Sequence, residues 1–324
     1  SQLLEKFMQK KIIALAVAGL VSGAAFAQSN VTVYGVADVG VAKFKDFSLG
    51  AAANSMANNG NSRVGFKGTE DLGGGLKANF LFEDTVSLAN GINAADPRAV
   101  GAAATPYSRS AWAGVSGGFG EIQIGQNYSA GFKAMASYDA TGMANYSAAV
   151  NRFGSAPGGN RNAAQVLYMS PSMGGLQVLF GHVLKGTNKT LGGTKAQNEV
   201  GVIYANGPIA LGASYADNGA GAGKDQSIGG SFNFGMGRVV AGYYNPAGST
   251  NPSKGYTLGV ADVKAGPVLL GFEWAKDTGT AGKPKTTVLE AKFPLSKRTF
   301  VYATYADYTE KANDNWSLGM RHNF

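Results

Sequence analysis

The sequence predicts an all-β fold: a 16-stranded antiparallel transmembrane β-barrel, with one long connection folded into the lumen. Three observations carry this. From Val31 onward, apolar and polar residues alternate in runs of about ten, the mark of strands with one apolar and one polar face. The connections between runs are by turns short and long, as in barrels that cross a membrane. Composition agrees, with 48 glycines in 324 residues, 15% charged residues and 10% aromatics.

The first strand, Val31–Val41, sets Val31, Val33, Gly35, Ala37, Val39 and Val41 on one face and Thr32, Tyr34, Val36 and Asp38 on the other. A polar loop over residues 43–61 leads to strand Ser62–Gly68, with Val64 and Phe66 opposed to Arg63 and Lys67. After a tight turn, strand Leu76–Glu83 sets Leu76, Ala78, Phe80 and Phe82 against Lys77, Asn79 and Glu83. The rhythm continues through Tyr107–Val115, Glu121–Tyr128, Ala163–Ser170, Leu176–Leu184, Glu199–Tyr204, Ile209–Ala216 and Gln226–Phe234. It ends with Arg238–Tyr244, Tyr256–Lys264, Val268–Ala275, Thr286–Phe293, Thr299–Tyr308 and Trp316–Phe324. In Thr299–Tyr308 both faces carry aromatics, so the alternation does not assign them. The short turns belong to the periplasmic side and the longer loops to the outside, which puts both ends of the barrel on the periplasmic side. Sixteen strands enclose water rather than a packed core.

The segment Gly125–Arg161 breaks this rhythm. It holds Tyr128, Phe132, Tyr138, Tyr146, Phe153, two methionines and one acid, Asp139. Long connections are functional or disordered, and so aromatic a segment packs against something. It is expected inside the lumen, with Asp139 touching the inward faces of the second and fourth strands.

Ahead of the barrel, residues 1–27 read as an N-terminal extension (Ser1–Phe7) plus a cleaved signal peptide, and residues 28–324 as a single barrel domain. Met8 opens a basic stretch, Ile12–Val21 is apolar, and Ala25 and Ala27 make a cleavage site before Gln28. Residues 1–27 hold three lysines and one acid, so the formal charge falls from +8 to +6 in the mature chain. With no cysteine, thiol and disulfide chemistry is excluded.

Four stretches, Ser62–Lys77, Gly118–Gly125, Leu295–Arg298 and Gly319–Phe324, resemble trimeric general porins of the betaproteobacterial type, over the whole mature chain. The resemblance implies a homotrimer with the third external loop in each pore, and an outer-membrane assembly signal at Phe324. Small outward residues such as Gly35, Ala37, Gly68 and Ala78 would let walls approach one another. The run Tyr138–Met143 is poorer in acids than the corresponding run of many relatives.

The candidate site is the pore constriction: Arg63, Arg109 and Arg161, assigned to the lumen side by alternation, with Lys67, facing Asp139. Arg63 fits the family's Ser-Arg-x-Gly strand and Arg161 its Asn-Arg strand start. Such a basic ring favours anions. The other reading is that these arginines pair with wall acids such as Glu83 or Glu121 and only stiffen the barrel. The two histidines, His182 and His322, share faces with apolar residues, which leaves a Ser-His site without its base, and no metal-ligand spacing appears. The expected function is passive diffusion of small ions and hydrophilic solutes across an outer membrane, with anions preferred. An outer-membrane barrel enzyme and a surface-binding protein or adhesin are the alternatives. The expected partners are two further copies, outer-membrane lipids, lipopolysaccharide phosphates at loop lysines, and the barrel assembly machinery. No cofactor and no nucleic acid are implied.

Overall fold

A computed structural model describes residues 30–45, 52–57, 60–88, 106–154, 156–185, 196–219, 223–247, 253–308 and 314–324. The leader expected over residues 1–27 and parts of the long connections lie outside them.

One closed antiparallel sheet makes the wall. Its strands are β1 (Asn30–Lys45), β2 (Ala52–Ala57), β3 (Arg63–Gly73), β4 (Leu76–Thr85), β5 (Ser110–Gly117) and β6 (Gly120–Tyr128). After the long connection come β7 (Arg161–Met169), β8 (Leu176–Val183), β9 (Gln197–Asn206), β10 (Ile209–Asp217), β11 (Lys224–Asn233) and β12 (Arg238–Ala247). The last are β13 (Gly255–Ala265), β14 (Val268–Asp277), β15 (Lys285–Pro294), β16 (Thr299–Tyr308) and β17 (Asp314–Asn323).

Seventeen strands fill sixteen wall positions. On one edge β1 pairs with β17; on the other its first half pairs with β3 and its second half with β2. Strand β2 therefore continues the line of β3. This corrects part of the polar loop expected over residues 43–61. The stretch Ala52–Ala57 has no clear alternation of side chains, yet an open edge of β1 satisfies its backbone, which side-chain pattern does not report.

The outer face is apolar: Val31, Val33, Val41, Ile124, Ile228, Leu258 and Leu318 are each more than half exposed. Alternate positions point to the lumen and are polar and buried, among them Asp38, Glu83, Gln123, Glu199, Ser227 and Glu273. In β16 the inward set is Tyr302, Thr304, Ala306 and Tyr308, while Tyr305 is exposed. Of the two inner aromatics, Tyr302 donates its hydroxyl to Asp38 Oδ1 at 2.8 Å, and Tyr308 joins the apolar core.

The seam is closed by the last residue. Gly35 N–H donates to the Phe324 carbonyl and Phe324 N–H to the Gly35 carbonyl, both at 3.0 Å. The Phe324 ring covers Gly35, where any side chain would collide with it.

The connection from β6 to β7 is not irregular throughout. It forms two short helices, α1 (Ala130–Met135) and α2 (Ala148–Phe153). The side chains of Ser129 and Ser147 cap them by accepting from Phe132 N and Val150 N. α1 packs on β8–β11 and α2 on β12–β15. The shared core joins Met135, Tyr138, Ala148, Ala149 and Phe153 of this segment to Tyr244, Ala275, Val288, Ala306 and Tyr308 of the wall. Phe153 stacks on Tyr244 with centroids 5.0 Å apart, and Tyr138 donates to Ser227 Oγ at 2.7 Å.

Candidate functional site

The segment rests on a smooth stretch of wall. At Gly201, Gly212 and Gly229, on the inner faces of β9, β10 and β11, an added Cβ would strike Ala130, Ala134 or Tyr138. Two wall carboxylates hold the helices. Glu199 accepts from Ala130 N–H and Glu273 from Ala148 N–H, each at 2.8 Å. Ala130 and Ala148 are the first residues of their helices, where backbone donors lack partners and the helix end is positive. The sequence reading named neither glutamate in a role. The available signal was an acid beside a glycine on the inner face, in strands facing an aromatic-rich insert.

Asp139 does not face the arginines, and among the described residues it makes none of its expected contacts with the second and fourth strands. It is fully buried within its own segment. Oδ1 accepts from Thr141 N (2.9 Å), Thr141 Oγ1 (2.7 Å) and Met143 N (2.7 Å), and Oδ2 from Ser147 Oγ (2.6 Å). Arg238 of β12 donates to its carbonyl at 3.0 Å. A carboxylate surrounded by local donors is satisfied there and gains nothing by projecting into water. The segment does reach the other side through Asn145, which donates to Asn61 Oδ1 at 2.8 Å.

The three arginines do meet, on wall that α1 and α2 leave uncovered. Arg109 Nε lies 2.6 Å from Glu83 Oε1 and Arg63 Nε 3.5 Å from Glu83 Oε2. Tyr34 also donates to Glu83, at 2.8 Å. Arg161 lies over the Tyr128 ring, 4.0 Å from its centroid, and Arg109 Nη2 donates to Tyr128 Oη at 3.3 Å. The three guanidiniums repel one another across this cluster. The pairing with Glu83 left open by the sequence is present for Arg63 and Arg109; among the described residues Glu121 pairs with none of them. One carboxylate serves three cations, so the cluster keeps net positive charge.

Alternation is the right reason for Arg63 alone. In β5 the residues Ala111, Ala113 and Val115 share the outer face with Phe82, Phe80 and Ala78 of β4, and Arg109 has their parity. It lies just before β5, outside its pleat, where its N–H donates to the Glu83 carbonyl at 3.2 Å and its side chain reaches the Glu83 carboxylate. In β7 the pleat breaks at Ala164, φ 50°, where Asn162 and Gln165 are both buried. Arg161 joins the cluster from the strand end by stacking on Tyr128.

Lys67 lies apart from the arginines. It is four residues along β3 from Arg63, roughly 13 Å at strand rise, with its ammonium 5.2 Å from the Tyr34 ring centroid. Lys133 of α1 is drawn to Glu121, and its burial holds the ammonium below its usual range. The histidines are bonded to neutral side chains, His182 to Asn198 and His322 to Thr299, each at 2.8 Å. Among the described residues no group of His, Cys, Asp and Glu could hold a metal.

Residues 14–313 match the family model described as Gram-negative porin. The chain is similar to the outer membrane porin protein 32 of Delftia acidovorans, at 29% identity over 97% of this chain and 93% of that one. It is also similar to an outer membrane porin protein of Bordetella pertussis, at 28% identity over 98% of this chain and all of that one. Among solved structures, an anion-selective porin from Comamonas acidovorans shares the fold with a TM-score of 0.74 at 24% identity, over 92% of this chain and 100% of that one. A loop-deletion form of the outer membrane protein OmpT of Vibrio cholerae does so with a TM-score of 0.66 at 17% identity, over 91% and 99%. The chain is a member of the Gram-negative porin family, a multi-pass β-barrel of the outer membrane.

Proposed function

We propose that this channel passes small hydrophilic solutes by passive diffusion with a preference for anions, set where Arg63, Arg109 and Arg161 gather on the wall left uncovered by α1 and α2. The single observation that carries the preference is the charge count there: three guanidiniums around one carboxylate, Glu83. The segment between β6 and β7 is the constriction loop of this reading. Its lone acid, Asp139, is buried, so the loop offers no carboxylate against the arginines. The anion-selective title of the Comamonas neighbour is consistent with this. A low-dielectric wall focuses the field across the pore, and salt screens it over about 10 Å at 0.1 M. At about 5 Å from the ion path, one unit charge in water is worth about 0.8 kcal/mol, roughly fourfold in local ion concentration.

Under the same reading residues 1–27 are removed on export, Phe324 presents the assembly signal to the barrel assembly machinery, and loop lysines meet lipopolysaccharide phosphates. The channel works as a homotrimer; small outward residues such as Gly35 and Ala37 support close approach of the walls. A channel suits the site better than an enzyme, since both histidines are spent on neutral partners.

The test is the zero-current potential across a KCl gradient, for the wild type and for Arg63→Ser/Arg161→Ser. The wild type should prefer chloride, most strongly in dilute salt. The double variant should lose most of that preference while inserting normally, because these side chains face the lumen. A cation-preferring wild type, or a double variant with its full preference, would assign the arginines to the wall alone.

A further inference from the structure

Near the outside end of the barrel, the pleat of β11–β15 sets one transverse row on the outer face. In register it runs Ile228, Tyr243, Tyr256, Lys276 and Lys285. Its parity is that of Leu258 and Leu289, both exposed. Tyr243 and Tyr256 lie with ring centroids 5.1 Å apart, and such rings mark the headgroup level of a barrel wall. Lys276 and Lys285 then face one another across β14 and β15, with Cα atoms about 5 Å apart. Like charges directly opposite destabilise a strand pair, so this place calls for an anion.

Two more lysines stand at the same edge. Lys254, just before β13, has the parity of Tyr256 and is exposed, and Lys283 is exposed in the β14–β15 connection. Among the described residues Lys254, Lys276 and Lys283 make no ion pair. Asp277 follows Lys276 but is buried on the lumen side. Its carboxylate accepts from Ser253, from the Lys254 and Gly279 N–H groups and from Thr280. Asp307 of β16 pairs with Thr287, two strands beyond Lys276 and one row further from the outside, opposite Asp314. The acids therefore leave the lysine edge positive.

Below the row the wall is hollowed. Gly230 and Ala241 floor a space of about 620 Å³, with Ile228, Tyr243, Leu258 and Trp274 at its sides. A second apolar hollow of about 580 Å³ follows toward the short-turn end, between Leu270, Phe272, Leu289, Ala291 and Ala303.

We propose that Lys276 and Lys285, with Lys254 and Lys283 above them, bind a phosphate of lipid A, and that its acyl chains lie in the two hollows. Ammoniums from adjacent strands hold a phosphate as point charges. Basic clusters beside an apolar membrane face select lipids with anionic heads. Four lysines exceed what one phosphodiester needs and suit the two phosphate monoesters of lipid A. The row also lies at the outside end, in the leaflet that lipid A forms. The proposal rests on the reading that lysines of this barrel meet lipopolysaccharide phosphates, and it gives that contact a place outside the pore.

The experiment equilibrates the full channel in detergent with lipid A bearing both phosphates, and measures the lipid carried after gel filtration. The wild type should saturate. Lys276→Gln/Lys285→Gln should raise the half-saturating concentration about tenfold, a loss of about 1.4 kcal/mol. Lys276→Arg/Lys285→Arg keeps both charges and should bind as the wild type does. Ala241→Phe fills the upper hollow from an exposed position and should weaken binding several-fold with every lysine in place. The same lipid A stripped of its phosphates should bind weakly, and alike to the wild type and the glutamine variant. Phosphatidylglycerol binding as tightly as phosphorylated lipid A, or an unchanged half-saturation in the glutamine variant, overturns the site. An unchanged glutamine variant leaves the broader reading to other lysines, whereas a wild type that carries no lipid A removes both. The zero-current potential of the glutamine variant should equal that of the wild type; a shift would place these lysines in the pore and overturn the site.

Discussion

Glu199 of β9 accepts the first backbone N–H of α1, from Ala130, at 2.8 Å, so a wall residue fixes the start of the segment that crosses the lumen. The same carboxylate accepts from the side-chain amides of Asn162 and Gln197. Among the described residues no cation is a partner of it, and three N–H donors surround it. Glu273 repeats the device at Ala148.

Glu199→Ala should free the α1 end. Leaving buried donors unpaired costs about 1–3 kcal/mol, enough to loosen a local segment without unfolding a closed barrel. Open-channel current noise should rise, with normal insertion. Glu199→Gln should be close to wild type. The side-chain oxygens of Asn162 and Gln197 are buried without partners, so turning those amides over would let them accept from the new amide group. Noise as low in the Ala variant as in the wild type would mean that the wall glycines alone seat the segment.

Gly212 tests that seat directly. An added Cβ there meets Ala134, Ser137 and Tyr138, all in the inserted segment. Gly212→Val should push α1 off the wall of β10 while the strand, with its β-branched residue, still forms. Single-channel conductance should change by an amount visible above the spread between wild-type channels. An unchanged conductance and noise would show that the segment can shift without cost.

Asp139→Asn separates the two roles considered for this acid. A filter residue would change selectivity when neutralised. Buried, with Thr141, Met143 and Ser147 donating to it, it is expected to act on order instead. The zero-current potential should stay within error of the wild type, and heat resistance of the folded form on gels should fall. A clear rise in anion preference with unchanged heat resistance would return Asp139 to the pore.

Gly35→Val addresses closure. Its side chain would meet the Phe324 ring and the Arg63 carbonyl, at the place where the first and last strands join. The variant should fold into detergent more slowly and in lower yield, read by the gel shift between unfolded and folded forms. Folding at the wild-type rate would mean that the terminal ring is free to leave Gly35.

Much of this was legible in the sequence because a barrel wall is a local object. Each strand must show lipid one face and water the other, so its pleat is written as a period of two, and the short turns keep neighbours in sequence adjacent in space. Val31, Val33 and Val41 outside, Asp38 and Glu83 inside, and an aromatic segment that packs rather than hangs free all follow from that. Tertiary structure alone decided what met across the lumen. Asp139 and the arginines share a barrel but not a neighbourhood, since the fold of the insert surrounds Asp139 with its own donors. Arg109 reaches Glu83 from the connection just outside β5, and Arg161 stacks on Tyr128 at a strand end whose pleat is broken at Ala164; such departures depend on backbone conformation that no period reports. The docking of Ala130 on Glu199 joins residues far apart in sequence, through one backbone N–H that any residue other than proline could supply, so it left no signature to read.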